Sequence, residues 1–177
     1  MPSADATQTL VLALGKDRRA YLLDRRHLGG IGGALAIQTV ATGPIITAPV
    51  AYPAPDGVFV AFQGEGANCA GSGGNLMALE VRPGDPPTLS AVWCAAISGG
   101  GSPIVTTTDG RSNSIVWIVG GDGDNRLHGY RGDTGEPIFT GGGNDEAMSG
   151  LHHFQTLIVA RDRLYVAGDG RVYAFQF

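Results

Sequence analysis

Residues Arg163 to Phe177 read RLYVAGDGRVYAFQF. An apolar strand leads (Leu164, Val166), a Gly168-Asp169-Gly170 turn follows, and a second strand ends on an aromatic–small–aromatic pattern, Tyr173-Ala174-Phe175. Variants of this line recur upstream. They are LVLALGKDRRAYLLD from Leu10 to Asp24, VFVAFQ with NLMALE between Val58 and Glu80, and IVWIVGGDGDNRLHGYR from Ile115 to Arg131. Their first strands start at Leu10, Val58, Ile115 and Leu164. Short strands repeating every ~40 to 50 residues predict a β-propeller, in which the repeats share one continuous core.

Composition agrees with a folded all-β chain and removes several function classes. Hydrophobic residues make up 43% and charged residues only 16% of the 177, so the chain is globular. Gly accounts for 29 positions, well above the usual share of about 7%. These glycines cluster between strands with no collagen period, so the excess is turn chemistry. A formal net charge of −4 offers no footprint for a nucleic-acid binder. No apolar run reaches the ~18 residues of a membrane helix. The opening MPSADATQTLVLALG lacks a basic region and does not read as a signal peptide.

Alternating apolar residues such as Val58, Val60 and Phe62 fit pleated strands. Four strands are expected at Ile45–Val50, Val58–Gln63, Leu76–Val81 and Thr88–Ala95. Four more are expected at Pro103–Thr108, Ile115–Val119, Arg126–Arg131 and Pro137–Thr140. Turn signals separate them: Pro55-Asp56-Gly57, Pro83-Gly84-Asp85, Asp109-Gly110 and Gly132-Asp133-Thr134-Gly135. The chain opens on what reads as a second strand, Leu10–Leu14, and closes on a third, Val172–Phe177. The expected organisation is two full blades, 44–95 and 102–140, flanked by partial blades at 7–41 and 153–177. That is the C-terminal half of a seven- or eight-bladed propeller, or a half-propeller that self-associates, since an open stack leaves apolar sheet faces bare.

These residues resemble the pyrroloquinoline-quinone-like repeat, found in quinoprotein dehydrogenases and in many non-enzymatic propellers. In that repeat the third strand carries an aromatic-Ala-hydrophobic core, a Thr-Gly turn follows, and a Trp ends the outer strand. Tyr173-Ala174-Phe175 matches the core, Asp133-Thr134-Gly135 matches the turn, and Trp93 holds the outer-strand position, where the next blade has Phe139. Pro86-Pro87 replaces Thr-Gly in the blade of Trp93, and Leu22 breaks the small-residue rule in the first partial blade. The resemblance implies that the outer-strand aromatic stacks between blades against a small position of a neighbour, with Ala78, Gly129 and Ala174 leaving the room. In the dehydrogenases it further implies pyrroloquinoline quinone, calcium, an Asp base and a pair of adjacent cysteines. Here Cys69 and Cys94 are not adjacent, and no catalytic residue carries over.

The two cysteines fall in one expected blade. A structural Cys69–Cys94 disulfide is one reading, and a pair of free buried thiols is the other. Two thiols alone do not make a metal site. Asp122-Gly123-Asp124-Asn125 resembles the start of a calcium loop, but Leu127 and Asp133 stand where an EF-hand needs Gly and Glu, so a hairpin turn is the better reading. Arg131-Gly132-Asp133 falls inside an expected turn, and chance explains it. Gly29 to Gly33 and Gly71 to Gly74 match no phosphate-binding motif.

His152 and His153 are expected to open the innermost strand of the last blade, with Asp145, Glu146 and Met148 in the loop before. Ser98 to Ser102 forms the matching loop one blade earlier. His152, His153, Asp145, Glu146 and Ser102 are therefore the candidates for a ligand-facing surface at the top of the channel. The plainer reading has one His facing channel solvent and the other packed in the core. The expected role is a binding or scaffold module for a protein or small ligand, with no cofactor, no metal, no nucleic acid and no membrane span. The alternatives are part of a quinoprotein alcohol or sugar dehydrogenase using pyrroloquinoline quinone with calcium, and a truncated product without function. The resemblance and the cysteine pair point to a periplasmic or extracellular protein.

Overall fold

The structure is a computed structural model that describes residues 9–69 and 72–176, with the side chains of 66–73 outside the description. Among the described residues the chain is all-β apart from one 3-10 turn, Asn144–Glu146. Strands β1 (Leu10–Leu14), β2 (Arg19–Asp24) and β3 (Ala36–Thr39) form the first sheet. The second holds β4 (Val50–Ala54), β5 (Gly57–Cys69), β6 (Ser72–Arg82) and β7 (Thr88–Ala95). The third holds β8 (Ile104–Thr106), β9 (Ile115–Val119), β10 (Leu127–Arg131) and β11 (Pro137–Thr140). The fourth holds β12 (Leu157–Ala160), β13 (Arg163–Gly168) and β14 (Arg171–Gln176). Each sheet is an antiparallel meander in chain order, and none closes on itself.

Most turn and strand expectations fall in place, and two strands move. The first strand of the second sheet is Val50–Ala54, not Ile45–Val50. Ile45 is instead buried between the first two sheets, and the Thr47 hydroxyl donates to the Gln63 carbonyl at 3.0 Å. The segment meets β5 at Gln63, beside the strand's register shift, before its own pairing begins. Pro53 sits within β4 because β4 is an edge strand. Likewise β12 begins at Leu157, so His152 and His153 lie in the crossing segment and do not open a strand. The β5–β6 hairpin also runs well past the expected ends of its strands, with a register shift between Gln63 and Ala67.

Burial follows the strand alternation. Leu12, Leu14, Ala20 and Leu22 of the first sheet pack on Val60, Phe62, Met77, Leu79 and Val81 of the second. Tyr52, Phe59, Ala61, Ala78 and Trp93 on the second sheet's other face meet Val116, Ile118 and Tyr130 of the third. Trp117, Val119 and Leu127 then meet Leu157, Leu164 and Val166 of the fourth. The sheets therefore stack face to face in chain order, each middle sheet apolar on both sides. Near their first strands they are also tied by polar contacts. The Ala48 N–H donates to Ser102 Oγ at 3.0 Å, and the Ser102 N–H donates to the Gln155 carbonyl at 2.7 Å. Strand β4 lies beside β8, and β8 beside β12.

The outer-strand aromatic does span two sheets, with one change from expectation. Trp93 pairs directly across from Ala78 within its own sheet, as Phe139 does with Gly129. The small residue makes room in the same sheet. The neighbour contributes Gly135, whose added Cβ would stand 2.7 Å from the Trp93 ring and whose φ is +71°. Trp93 Nε1 and Tyr52 Oη both donate to the Gly132 carbonyl, at 2.7 and 2.8 Å. Phe139 packs half-buried toward the fourth sheet, its ring 6.4 Å from that of Trp117. Ala174 lies across from Tyr165 and is exposed.

Candidate functional site

The crossing segment that enters the fourth sheet carries His152 and His153 over two hairpin ends. One is the β9–β10 turn with Asp122, and the other is the β13–β14 turn with Asp169. Backbone bonds fix the crossing: the Asp122 N–H donates to the Leu151 carbonyl at 3.1 Å, and the Asp169 N–H donates to the Gly150 carbonyl at 3.1 Å. Asp122 has φ +54°, a left-handed turn residue of a kind Asp tolerates.

These turns bring four titratable side chains together. His153 Nδ1 lies 2.6 Å from Asp122 Oδ2, which also accepts the His153 backbone N–H at 3.0 Å. His152 stands between two carboxylates, with Nδ1 3.4 Å from Asp122 Oδ1 and Nε2 3.3 Å from Asp169 Oδ2. The order Asp169–His152–Asp122–His153 therefore joins the third sheet to the fourth at the solvent surface. The Phe154 ring lies 4.1 Å from the His153 ring and is 62% exposed. Asp169, by hydrogen bond and charge, and then Asp122 raise the His152 pKa above its ordinary 6.5. The hydrogen bonds from the His153 side chain and backbone hold the Asp122 carboxyl below its ordinary 3.8.

A second acid–imidazole pair lies behind the first. Asp124 Oδ2 is 2.9 Å from Nε2 of His128, which is buried on β10. Arg126 beside it donates to the Gly141 and Gly143 carbonyls at 2.6 and 2.7 Å, anchoring the loop that leads to the histidines.

The expected ligand-facing set is divided by the structure. His152 and His153 share one cluster. Ser102 is buried and serves as the tie between crossing segments. Asp145 and Glu146 lie on the 3-10 turn and line a separate cleft of about 530 Å³ with Phe139, Tyr173 and Gln176, between the third and fourth sheets. The Glu146 carboxylate accepts the Gly143 N–H, which closes the turn on itself. The reading of one packed and one solvent-facing histidine also fails, because both are exposed and both are paired. The Cys69–Cys94 pairing falls on the Cys69 side chain, which lies outside the described residues.

Asp122 and Asp169 are the partners that sequence reasoning passed over as turn residues. A signal was present. Gly121-Asp122-Gly123 and Gly168-Asp169-Gly170 place an acid between glycines at the hairpin turn of two repeats, and Gly64-Glu65-Gly66 repeats the pattern within β5, at its register shift. The Glu65 carbonyl accepts the Thr42 and Gly43 N–H groups, so this register shift also receives the crossing chain.

Chemically the cluster is suited to holding a polar partner. Among the described residues no Ser, Thr or Cys side chain is bonded to either histidine, so no activated nucleophile is assembled. No group of three or more described His, Cys, Asp or Glu side chains is arranged to hold a metal ion. No described helix is long and apolar enough to cross a membrane. No protein-family model and no curated protein matches the chain.

Proposed function

We propose that this chain is a pyrroloquinoline-quinone-like β-propeller segment that works as a binding or scaffold module, with the surface around Asp122, His152, His153, Phe154 and Asp169 as its ligand face. The single observation that carries the reading is the convergence of the crossing segments. Ala48, Ser102 and Gln155, one from each of three successive segments, are hydrogen-bonded in a row. Blades arranged around a channel bring their innermost segments together in this way. The same segment that contributes Gln155 delivers His152 to Phe154 onto the surface. Trp93 docking on Gly132 and Gly135 of the next sheet supports the repeat type. Exposed imidazoles, carboxylates and an aromatic ring on a rigid base suit recognition of a protein or a small polar ligand. The export of such a protein to the periplasm or beyond belongs to the same proposal.

The test is retention of a partner without turnover. Immobilised chain is exposed to extract of the source cells, beside a variant carrying His152→Ala, His153→Ala and Asp122→Asn. At least one bound species should be retained by the native chain and lost from the variant. An identical bound set on both would sink the ligand-face assignment. In parallel, the chain is mixed with pyrroloquinoline quinone, calcium, an artificial electron acceptor, and alcohols or aldoses. Dye reduction above background would replace the scaffold reading with a dehydrogenase.

A further inference from the structure

We infer that the cleft between the β4–β5 hairpin and the third sheet binds a small organic acid, one carboxylate carried on a flat apolar body of one or two rings. Ile115 of β9 lines this cleft, while the other end of β9 leads to the Asp122 turn. The site is therefore separate from the ligand face and does not depend on it.

The cleft has a volume of about 1010 Å³, large enough for a small molecule. One wall is the β4–β5 hairpin of the second sheet. The other is the β8–β9 loop with the β10–β11 turn of the third. The interior is apolar. The Tyr52 and Phe59 rings lie 5.5 Å apart, and Val58 and Ile138 line the cleft while remaining 41% and 46% exposed. Pro53 and Pro55 stiffen the second-sheet wall, since each fixes its own φ. A flat apolar body would cover Val58 and Ile138 and meet the aromatic pair on a wall that needs little ordering.

The charges at the rim select the sign of the ligand. Each nearby carboxylate has a partner of its own. Asp133 Oδ1 is 3.4 Å from Arg131 Nε, and Asp56 Oδ2 is 3.9 Å from Arg82 Nη2. Asp109 accepts the backbone N–H groups of Arg111 and Ser112 and the Ser112 hydroxyl, at 2.8, 2.5 and 2.9 Å. These bonds fix the loop that carries Arg111 to the cleft. Among the described residues the Arg111 guanidinium has no carboxylate within ion-pair distance. It is left as an uncompensated positive charge on the lining, in a chain whose net charge is −4. A planar guanidinium can donate two parallel N–H bonds to one carboxylate. An amine would meet Arg111 as a like charge.

The experiment titrates 2-naphthoate, ionised at neutral pH, into the nitrogen-15-labelled 177-residue protein and follows the amide shifts. The uncharged isostere, 2-naphthamide, is titrated beside it. The same spectra report whether each variant is folded. Shifts should concentrate at Val58, Ser114, Gly132 and Asp133. Naphthoate should bind ~10-fold or more tightly than naphthamide, as a charge-assisted bidentate contact requires. Arg111→Gln should erase that difference by weakening naphthoate alone. Ile138→Ser should weaken both ligands alike, by ~3-fold, through lost apolar contact. Arg25→Gln, on the exposed β2–β3 loop of the first sheet, removes the same charge from the chain and should change neither. Naphthoate that fails to bind, or binds no better than naphthamide, would overturn the inference. So would shifts centred on Asp145, Glu146 or the histidines. Equal losses in Arg111→Gln and Arg25→Gln would reveal a net-charge effect and would likewise overturn it.

Discussion

Trp93 holds the second and third sheets together through a single acceptor. Its indole N–H and the Tyr52 hydroxyl converge on the carbonyl of the buried Gly132. Losing one donor leaves the other in place, so Trp93→Phe or Tyr52→Phe should each cost about 1–2 kcal/mol. Losing both strands the carbonyl, so the double variant should cost more than the sum of the two. Urea unfolding of the four proteins measures this, and strict additivity would refute the shared-acceptor account. His152 sets a pH dependence. Its folded-state pKa is raised, so its contribution is complete below pH 6.5 and is lost as pH rises through the raised value. Asp122, with its pKa lowered, contributes above its ordinary 3.8 and fades as pH falls through the lowered value. Melting temperature followed from pH 5 to 9 should therefore decline less on the alkaline side in His152→Ala than in the native protein. Parallel curves would show that the Asp169–His152–Asp122 contact carries no stability.

At the scale of elements, the hairpins were the legible part. Gly168-Asp169-Gly170 and the Asp133-Thr134-Gly135 turn declare themselves because reversal demands left-handed backbone or Asx bonding, and few residues supply either. Strands β1, β7, β9 and β11 lie where alternation puts them for the same local reason. The crossing segments are not legible in this way. Ile45-Ile46-Thr47 has the composition of a strand, yet Ile45 is buried by packing across two sheets and the Thr47 hydroxyl bonds to Gln63 within β5. Composition does not separate a paired strand from an apolar segment that crosses one. For the same reason β12 starts at Leu157 and the histidines lie in the segment before it. The β5–β6 hairpin leads to a prediction of its own. Its tip, where Cys69 pairs in register with Ser72, extends beyond the sheet, while Cys94 lies across from Met77 further down β6. We propose that a disulfide ties this tip back to β7. Protein made in an oxidising compartment should gain no alkyl groups without reductant and two with it. Labelling of both thiols before reduction would rule the bridge out.

Across the whole molecule, stability passes from sheet to neighbouring sheet, as in other stacked repeats. Among the described residues the fourth sheet shares a core cluster with the third alone, so a cavity there is felt mainly at one interface. Leu164→Ala, at a fully buried site, should lower stability by about 2–5 kcal/mol. Amide exchange should rise in β12 to β14 well before it rises in β5 and β6. Uniform acceleration across all four sheets would mean that the stack unfolds only as a unit.

The repeat, the all-β class, the hairpin ends other than that of β5–β6, and the identity of the inter-sheet aromatic were determined by the sequence alone. Each depends on short-range rules: two-residue alternation, turn backbone geometry and a small residue beside a large ring. Three things were decided only by tertiary structure. Ser102 became a tie between crossing segments, Asp145 and Glu146 parted from the histidines, and Asp122 and Asp169 became their partners. The reason is distance along the chain. Asp122 meets His153 across 31 residues, and no local preference specifies which of several exposed carboxylates an imidazole will reach once the sheets have packed.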